Sequence, residues 1–167
     1  MKKLLFILIF AINIFANEDY KVSTQVEVSG LVKNTLNLDV EELEKLSYFK
    51  SNSTPLVCMS GETKDNVESY EGVLLKDIID KAVVDIKSKK DFNKIYIQAI
   101  SKDGYETIFS YNEVFNTKLG DNIIVFYKKN GKYLENYQGK IGLISIDDIR
   151  NGPRHIKWLE KIIVGKI

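Results

Sequence analysis

One cysteine, Cys58, and one histidine, His155, carry most of the reactive chemistry open to this 167-residue chain. A thiolate beside an imidazole would make an activated nucleophile, but nothing in the sequence brings these two residues together. Nor can a single cysteine and a single histidine hold zinc without carboxylate help, and no His/Cys/Glu cluster has metal-ligand spacing. The acidic pairs Glu41-Glu42 and Asp147-Asp148 read as solvated faces or caps rather than catalytic carboxylates. There is no glycine-rich phosphate loop and no serine in a nucleophile-elbow setting. Cys58 is therefore the residue to explain. Being alone, it excludes an internal disulfide, and a lone thiol outside the cytoplasm must be either buried or chemically employed.

The N-terminus sets that compartment. Lys2 and Lys3 precede an apolar run, Leu4 to Phe15, broken only by Asn13 and closed by the small Ala16 before Asn17-Glu18-Asp19. Charge, apolar core, small residue and polar start make a secretory signal peptide over residues 1–16. As a helix the run would rise about 18 Å, too little for a bilayer core of about 30 Å. Residues 17–167 remain, enough for one domain with its own core. Losing two lysines turns the formal net charge from +1 to −1. A chain with both signs of charge mixed along it has no basic face for nucleic acid. No later segment is long and apolar enough to span a membrane after signal removal. The expected location is periplasmic or secreted.

Gln25 to Val32 alternates as a strand, and Asp39 with Glu42 reads as a capping box for a helix over Val40–Leu46. Thr54 to Met59 reads as a short apolar strand ending at Cys58, and Gly61 to Glu71 as a polar loop. Leu74, Leu75, Ile78, Ile79, Ala82 and Val83 recur at helical spacing. Ile95–Ile100 and Glu106–Ser110 flank Asp103-Gly104, a strong hairpin signal. Asn130-Gly131 turns a strand over Asn122–Tyr127 back through Tyr133 and Leu134. Lys140–Ile146 reads as a strand, and Ile156–Val164 as a closing strand. Hairpins without alternating βαβ units argue for an α+β fold of mixed sheets with two main helices.

Several motifs line up in order: Val28-Ser29-Gly30; the Leu36–Leu46 helix entry; Cys58 followed by Gly61; Tyr70-Glu71-Gly72-Val73-Leu74-Leu75; Lys102-Asp103-Gly104-Tyr105; and Gly152-Pro153-Arg154-His155-Ile156-Lys157-Trp158-Leu159. In this order they resemble the molybdopterin-binding domain of the sulfite-oxidase family, from about Val26 to Val164. The resemblance implies a cysteine thiolate and a pterin dithiolene that together hold molybdenum, and oxygen atoms transferred in two-electron steps. It makes Cys58 the metal ligand. Arg154, His155, Ile156 and Lys157 fall on the cofactor-contacting stretch, and Asp103 on a further contact. Arg154 and Lys157 would offer cationic hydrogen bonds to the pterin phosphate.

The sequence departs from the family where larger members read H-G-x-P-x-R. Here the chain reads Gln138-Gly139-Lys140-Ile141-Gly142-Leu143, without the histidine and arginine that touch cofactor. The family's small residue and Gly-Asn after the cysteine are replaced by Met59-Ser60-Gly61-Glu62. The leader also has Lys2-Lys3 and no Arg-Arg, so it fits the general secretory route for unfolded chains rather than export of a folded, loaded protein. Two functions stay open. One is an exported molybdopterin oxidoreductase with a redox partner protein. The other is a cofactor-free binding or accessory domain that recognises a small anion or a partner protein. The leader is directly testable: N-terminal sequencing of the exported product should begin near Asn17, whereas Met1 retained on a membrane-bound product would contradict it.

Overall fold

The computed structural model describes residues 22–167, so the expected leader lies outside the described residues. A five-stranded sheet contains β1 (Gln25–Gly30), β2 (Leu36–Asp39), β7 (Ile95–Ser101), β8 (Glu106–Ser110) and β13 (Leu159–Lys166). Its order is β2-β1-β13-β7-β8. The last strand thus lies in the middle, parallel to β1 (Val28 opposite Ile162) and antiparallel to β7 (Ala99 opposite Ile162). A second sheet contains β3 (Phe49–Lys50), β6 (Tyr70–Leu74), β9 (Ile123–Lys129), β10 (Lys132–Tyr133), β11 (Gly142–Ser145) and β12 (His155–Ile156). It runs β12-β11-β9-β6-β3, with β10 folded back on β9. A separate antiparallel ribbon pairs β4 (Thr54–Val57) with β5 (Thr63–Val67).

Three short helices join these sheets: α1 (Val40–Glu44), α2 (Leu75–Ala82) and α3 (Tyr111–Phe115). As the apolar spacing requires, α2 buries Leu75, Ile78, Ile79 and Ala82 completely. They join Val28, Val73, Ile97, Val125 and Ile162 in one core cluster drawn from both sheets. The first five residues of β9 are buried, and successive side chains point to opposite faces. Ile123, Val125 and Tyr127 therefore enter the main core, while Ile124 and Phe126 join Tyr70, Val67, Leu134 and Ile144 in a second cluster. Both expected turns form. Gly104 sits at φ 91°, and Asn130 and Gly131 at 52° and 75°, as a two-residue hairpin turn requires.

The α+β class holds, with local corrections. Leu36–Asp39 is a strand on β1 rather than part of a helix entry, and the helix begins at Val40 behind the Asp39 cap. Asp39 accepts the Glu42 amide, while the Glu42 carboxylate pairs with Lys45. Gly61–Glu71, expected as a loop, contains β5 and the start of β6. Four of the five β5 residues are exposed, so no apolar alternation marks the strand. The closing segment is two strands in two sheets, broken at Lys157-Trp158. A third helix, α3, went unread although Ser110 and Glu113 form a full capping box at its start.

Truncating Ile78 to alanine should lower stability by about 2–5 kcal/mol through lost burial and an unfilled cavity. Urea denaturation measures this, and a change within about 0.5 kcal/mol would mean that Ile78 does not face the core.

Candidate functional site

Where the chain crosses from β12 to β13 it lines a surface cleft of about 300 Å³, bounded by Ser101, Asp103, Tyr105, Gly152, His155, Lys157 and Trp158. Three elements meet there. The first is the end of β7 with its Asp103-Gly104 turn. The second is the short 3-10 turn Gly152–Arg154, and the third is the corner Lys157-Trp158.

Backbone and side-chain bonds fix the corner. The Ser101 hydroxyl donates to the Lys157 carbonyl (2.7 Å), and the Lys102 amide donates to the Trp158 carbonyl (2.9 Å). The Trp158 indole N–H donates to the Asn136 carbonyl (2.8 Å). Trp158 itself takes φ 51°, a conformation a bulky residue adopts only when its surroundings enforce it. Gly139 makes that approach feasible, because a Cβ there would lie 2.7 Å from the Trp158 Cα. On the opposite wall, the Asp103 carboxylate accepts the Tyr105 amide (3.0 Å), and the Tyr105 hydroxyl donates to the Pro153 carbonyl (2.6 Å).

His155 packs its ring on Phe126 (centroids 5.7 Å apart) and near Tyr70 (6.1 Å). Burial in this aromatic setting, helped by the Lys157 and Lys129 ammonium groups, pulls the imidazole down to about 4. At neutral pH it is an uncharged hydrogen-bonding group facing the cleft. Behind it, the fully buried Tyr70 hydroxyl finds no hydrogen-bond partner among the described residues. Lys157 is exposed, its ammonium 5.8 Å from the Trp158 ring centroid.

Of the residues expected at the site, Asp103, His155 and Lys157 line one cleft. Cys58 does not line it but backs onto it: a Cβ on Gly152 would lie 3.2 Å from the Cys58 Cα and 2.7 Å from the Val57 carbonyl oxygen. Cys58 is partly exposed and follows directly on the end of β4 at Val57, the strand end where it was expected. Its amide donates to the Glu62 carbonyl and its carbonyl accepts from Gly61, both at 2.9 Å.

Arg154 and Ile156 behave differently. The Arg154 guanidinium binds both carboxylate oxygens of Asp148 and one of Glu113 (3.1 Å), and it lies over the Phe109 ring (4.6 Å). Those bonds occupy it, so it is not a donor facing the cleft. Asp148, expected as part of a solvated face or a cap, is instead the mostly buried partner of that ion pair. Ile156 turns its side chain into the main core and can meet a ligand only through its backbone. Sequence reading passed over Asn151. This residue is 2% exposed, accepts the Val57 amide (2.8 Å) and donates to the Pro55 carbonyl (2.9 Å). Its setting before Gly-Pro reads only as a turn.

A family model described as oxidoreductase molybdopterin binding domain matches residues 13–166. Among solved structures, the chain is similar to the sulfane dehydrogenase SoxCD from Paracoccus pantotrophus, with a TM-score of 0.65 and 17% identity. That likeness covers 86% of this chain and 38% of the other, so this chain spans well under half the length of that relative. No curated protein matches.

The neutral imidazole has a consequence for acid stability. His155 falls from its ordinary 6.5 to about 4 in the fold. Between those values the unfolded chain takes up a proton that the native state refuses. This contribution is complete above pH 6.5 and is lost as the pH falls to about 4. It amounts to at most about 3 kcal/mol, an upper bound because part of the residue still reaches solvent. Denaturation of wild type and His155→Phe at pH 7 and pH 4.5 should show the larger acid loss in wild type. Equal losses would mean that the imidazole titrates as it does in water.

Proposed function

The chain belongs to the oxidoreductase molybdopterin-binding domain family, and from that premise we propose that it holds a molybdenum–molybdopterin cofactor through Cys58 and serves two-electron oxygen-atom transfer outside the cytoplasm. The observation that carries the reading is a partly exposed cysteine whose backbone lies against Gly152, which also lines the cleft containing Asp103, His155 and Lys157.

The donor set fits such a group. No set of three His, Cys, Asp or Glu side chains could hold a bare metal ion among the described residues. Cys58 offers one soft ligand, so the metal that fits is one that arrives with its other ligands already attached. When bound, the cofactor supplies the two-electron redox chemistry. The chain's own residues do the rest. Cys58 would ligate as its thiolate, and its partial exposure leaves it within reach of a cofactor. Lys157 brings an exposed ammonium to the cleft and suits a phosphate. His155, held neutral, offers a hydrogen bond without adding charge. Asp103 and the Tyr105 hydroxyl are oriented by the turn and by Pro153.

The lysine-type leader supports export as an unfolded chain, followed by folding and loading. A cleft that opens at the surface is compatible with filling after folding. Electrons then pass to a redox partner protein. The described residues contain no helix long and apolar enough to cross a membrane.

Elemental analysis of natively exported protein, from a host that makes the cofactor, tests the reading. Wild type should contain stoichiometric molybdenum, and Cys58→Ser should contain none while folding normally. Metal-free wild type would overturn the proposal in favour of a cofactor-free binding domain.

A further inference from the structure

Three consecutive residues grip the segment that carries the cysteine. The Arg150 guanidinium donates to the Met59 carbonyl. The Asn151 side chain accepts the Val57 amide and donates to the Pro55 carbonyl at 2.9 Å and to the Ile146 carbonyl at 3.5 Å. Gly152 lies so close to the Val57 carbonyl oxygen that no Cβ would fit. The side-chain amide of Asn151 thus uses both of its hydrogens and its oxygen, and it does so at 2% exposure. Cys58 is bracketed, with Val57 held on one side and Met59 on the other. The same stretch of chain then runs on to line the cleft at His155 and Lys157.

The ribbon β4–β5 depends on this grip. It pairs with no other strand. Its apolar attachment is narrow, with Val67 buried and Leu56 partly buried in the second cluster. The Asn151 bonds hold the β4 end in register with the cleft, while the Lys129–Asp65 ion pair (2.6 Å) ties β5 to β9.

We propose that Asn151 is the positioning residue for Cys58, fixing the thiol at one place relative to the cleft through its bonds to Val57 and Pro55. The proposal rests on the reading of Cys58 as the metal ligand for its functional meaning, but its geometry can be tested without metal.

The primary readout is the labelling rate of Cys58 in native, metal-free protein, with the denatured chain as reference. Asn151→Ala should raise the rate by about tenfold, the effect of losing a buried hydrogen-bond partner on a local opening equilibrium. Ile78→Val, a core truncation remote from the grip, should leave the rate unchanged well below its unfolding transition. Gly152→Ala drives a Cβ against Val57 while keeping the Asn151 amide. It should also change the rate, and it keeps the test alive if Asn151→Ala fails to fold. In loaded protein, a folded Asn151 variant should shift the metal's paramagnetic resonance spectrum at equal metal content. Wild-type labelling rates in both Asn151→Ala and Gly152→Ala would overturn the proposal, and so would an equal rise in Ile78→Val. Wild type without molybdenum would instead defeat the ligand reading and leave the labelling result standing.

Discussion

Lys157 and Trp158 are the two residues by which the chain leaves one sheet and enters the other. At this corner a bulky aromatic residue is held at a positive φ, and bonds from Ser101, Lys102 and Asn136 surround it. Strain of this kind persists only where neighbours enforce it. The neighbours here belong to separate parts of the fold. They are the end of β7, the segment before β11, and Gly139, which leaves room for the tryptophan. The cleft exists because these parts converge. Its lining residues come from the β7–β8 turn on one side and from the approach to the corner on the other. Moving the corner would separate Asp103 from His155 and Lys157.

Electrostatics then assign different work to neighbouring residues of one short motif. Arg154, His155, Ile156 and Lys157 are consecutive, yet they meet four environments. Arg154 lies between Asp148 and Glu113, where a half-buried guanidinium needs carboxylates to offset its lost hydration. His155 loses its charge against aromatic rings, Ile156 fills the core, and Lys157 stays in water. The chain changes path along these four residues, from the 3-10 turn that ends at Arg154, through the two-residue strand β12 with its opposed side chains, to the corner at Lys157, and this produces the division. A motif read as a block of cofactor contacts is therefore half scaffold.

Much of the fold was legible because its signals are local. The spacing of Leu75, Ile78, Ile79 and Ala82 and the Asp-Gly and Asn-Gly turns need no tertiary context. What stayed hidden depends on distant partners. β5 has almost no apolar face, since the ribbon projects into solvent, and polar composition then mimics a loop. Glu71 can be buried in β6 only because Lys50 and Tyr48 reach it from elsewhere in the chain. The α3 capping box was present in Ser110 and Glu113, but its helix is five residues long and too short to show periodicity. At the site, residue type singled out Cys58, and motif order pointed to Asp103, His155 and Lys157. Type could not show that Asp148 and Glu113 would claim Arg154, or that Asn151 would be buried, because each depends on residues far away in sequence.

The placement of β13 also has a consequence in time. It follows every other described strand in sequence, yet it sits between β1 and β7 and joins a strand near the start of the described residues to one from the middle of the chain. Until it is synthesised, the five-stranded sheet is split into two fragments, β2-β1 and β7-β8, neither of which can close the core. Synthesis proceeds at about 5–20 residues per second, and pairings between distant segments form late. The nascent chain therefore carries no finished domain until β13 has been made.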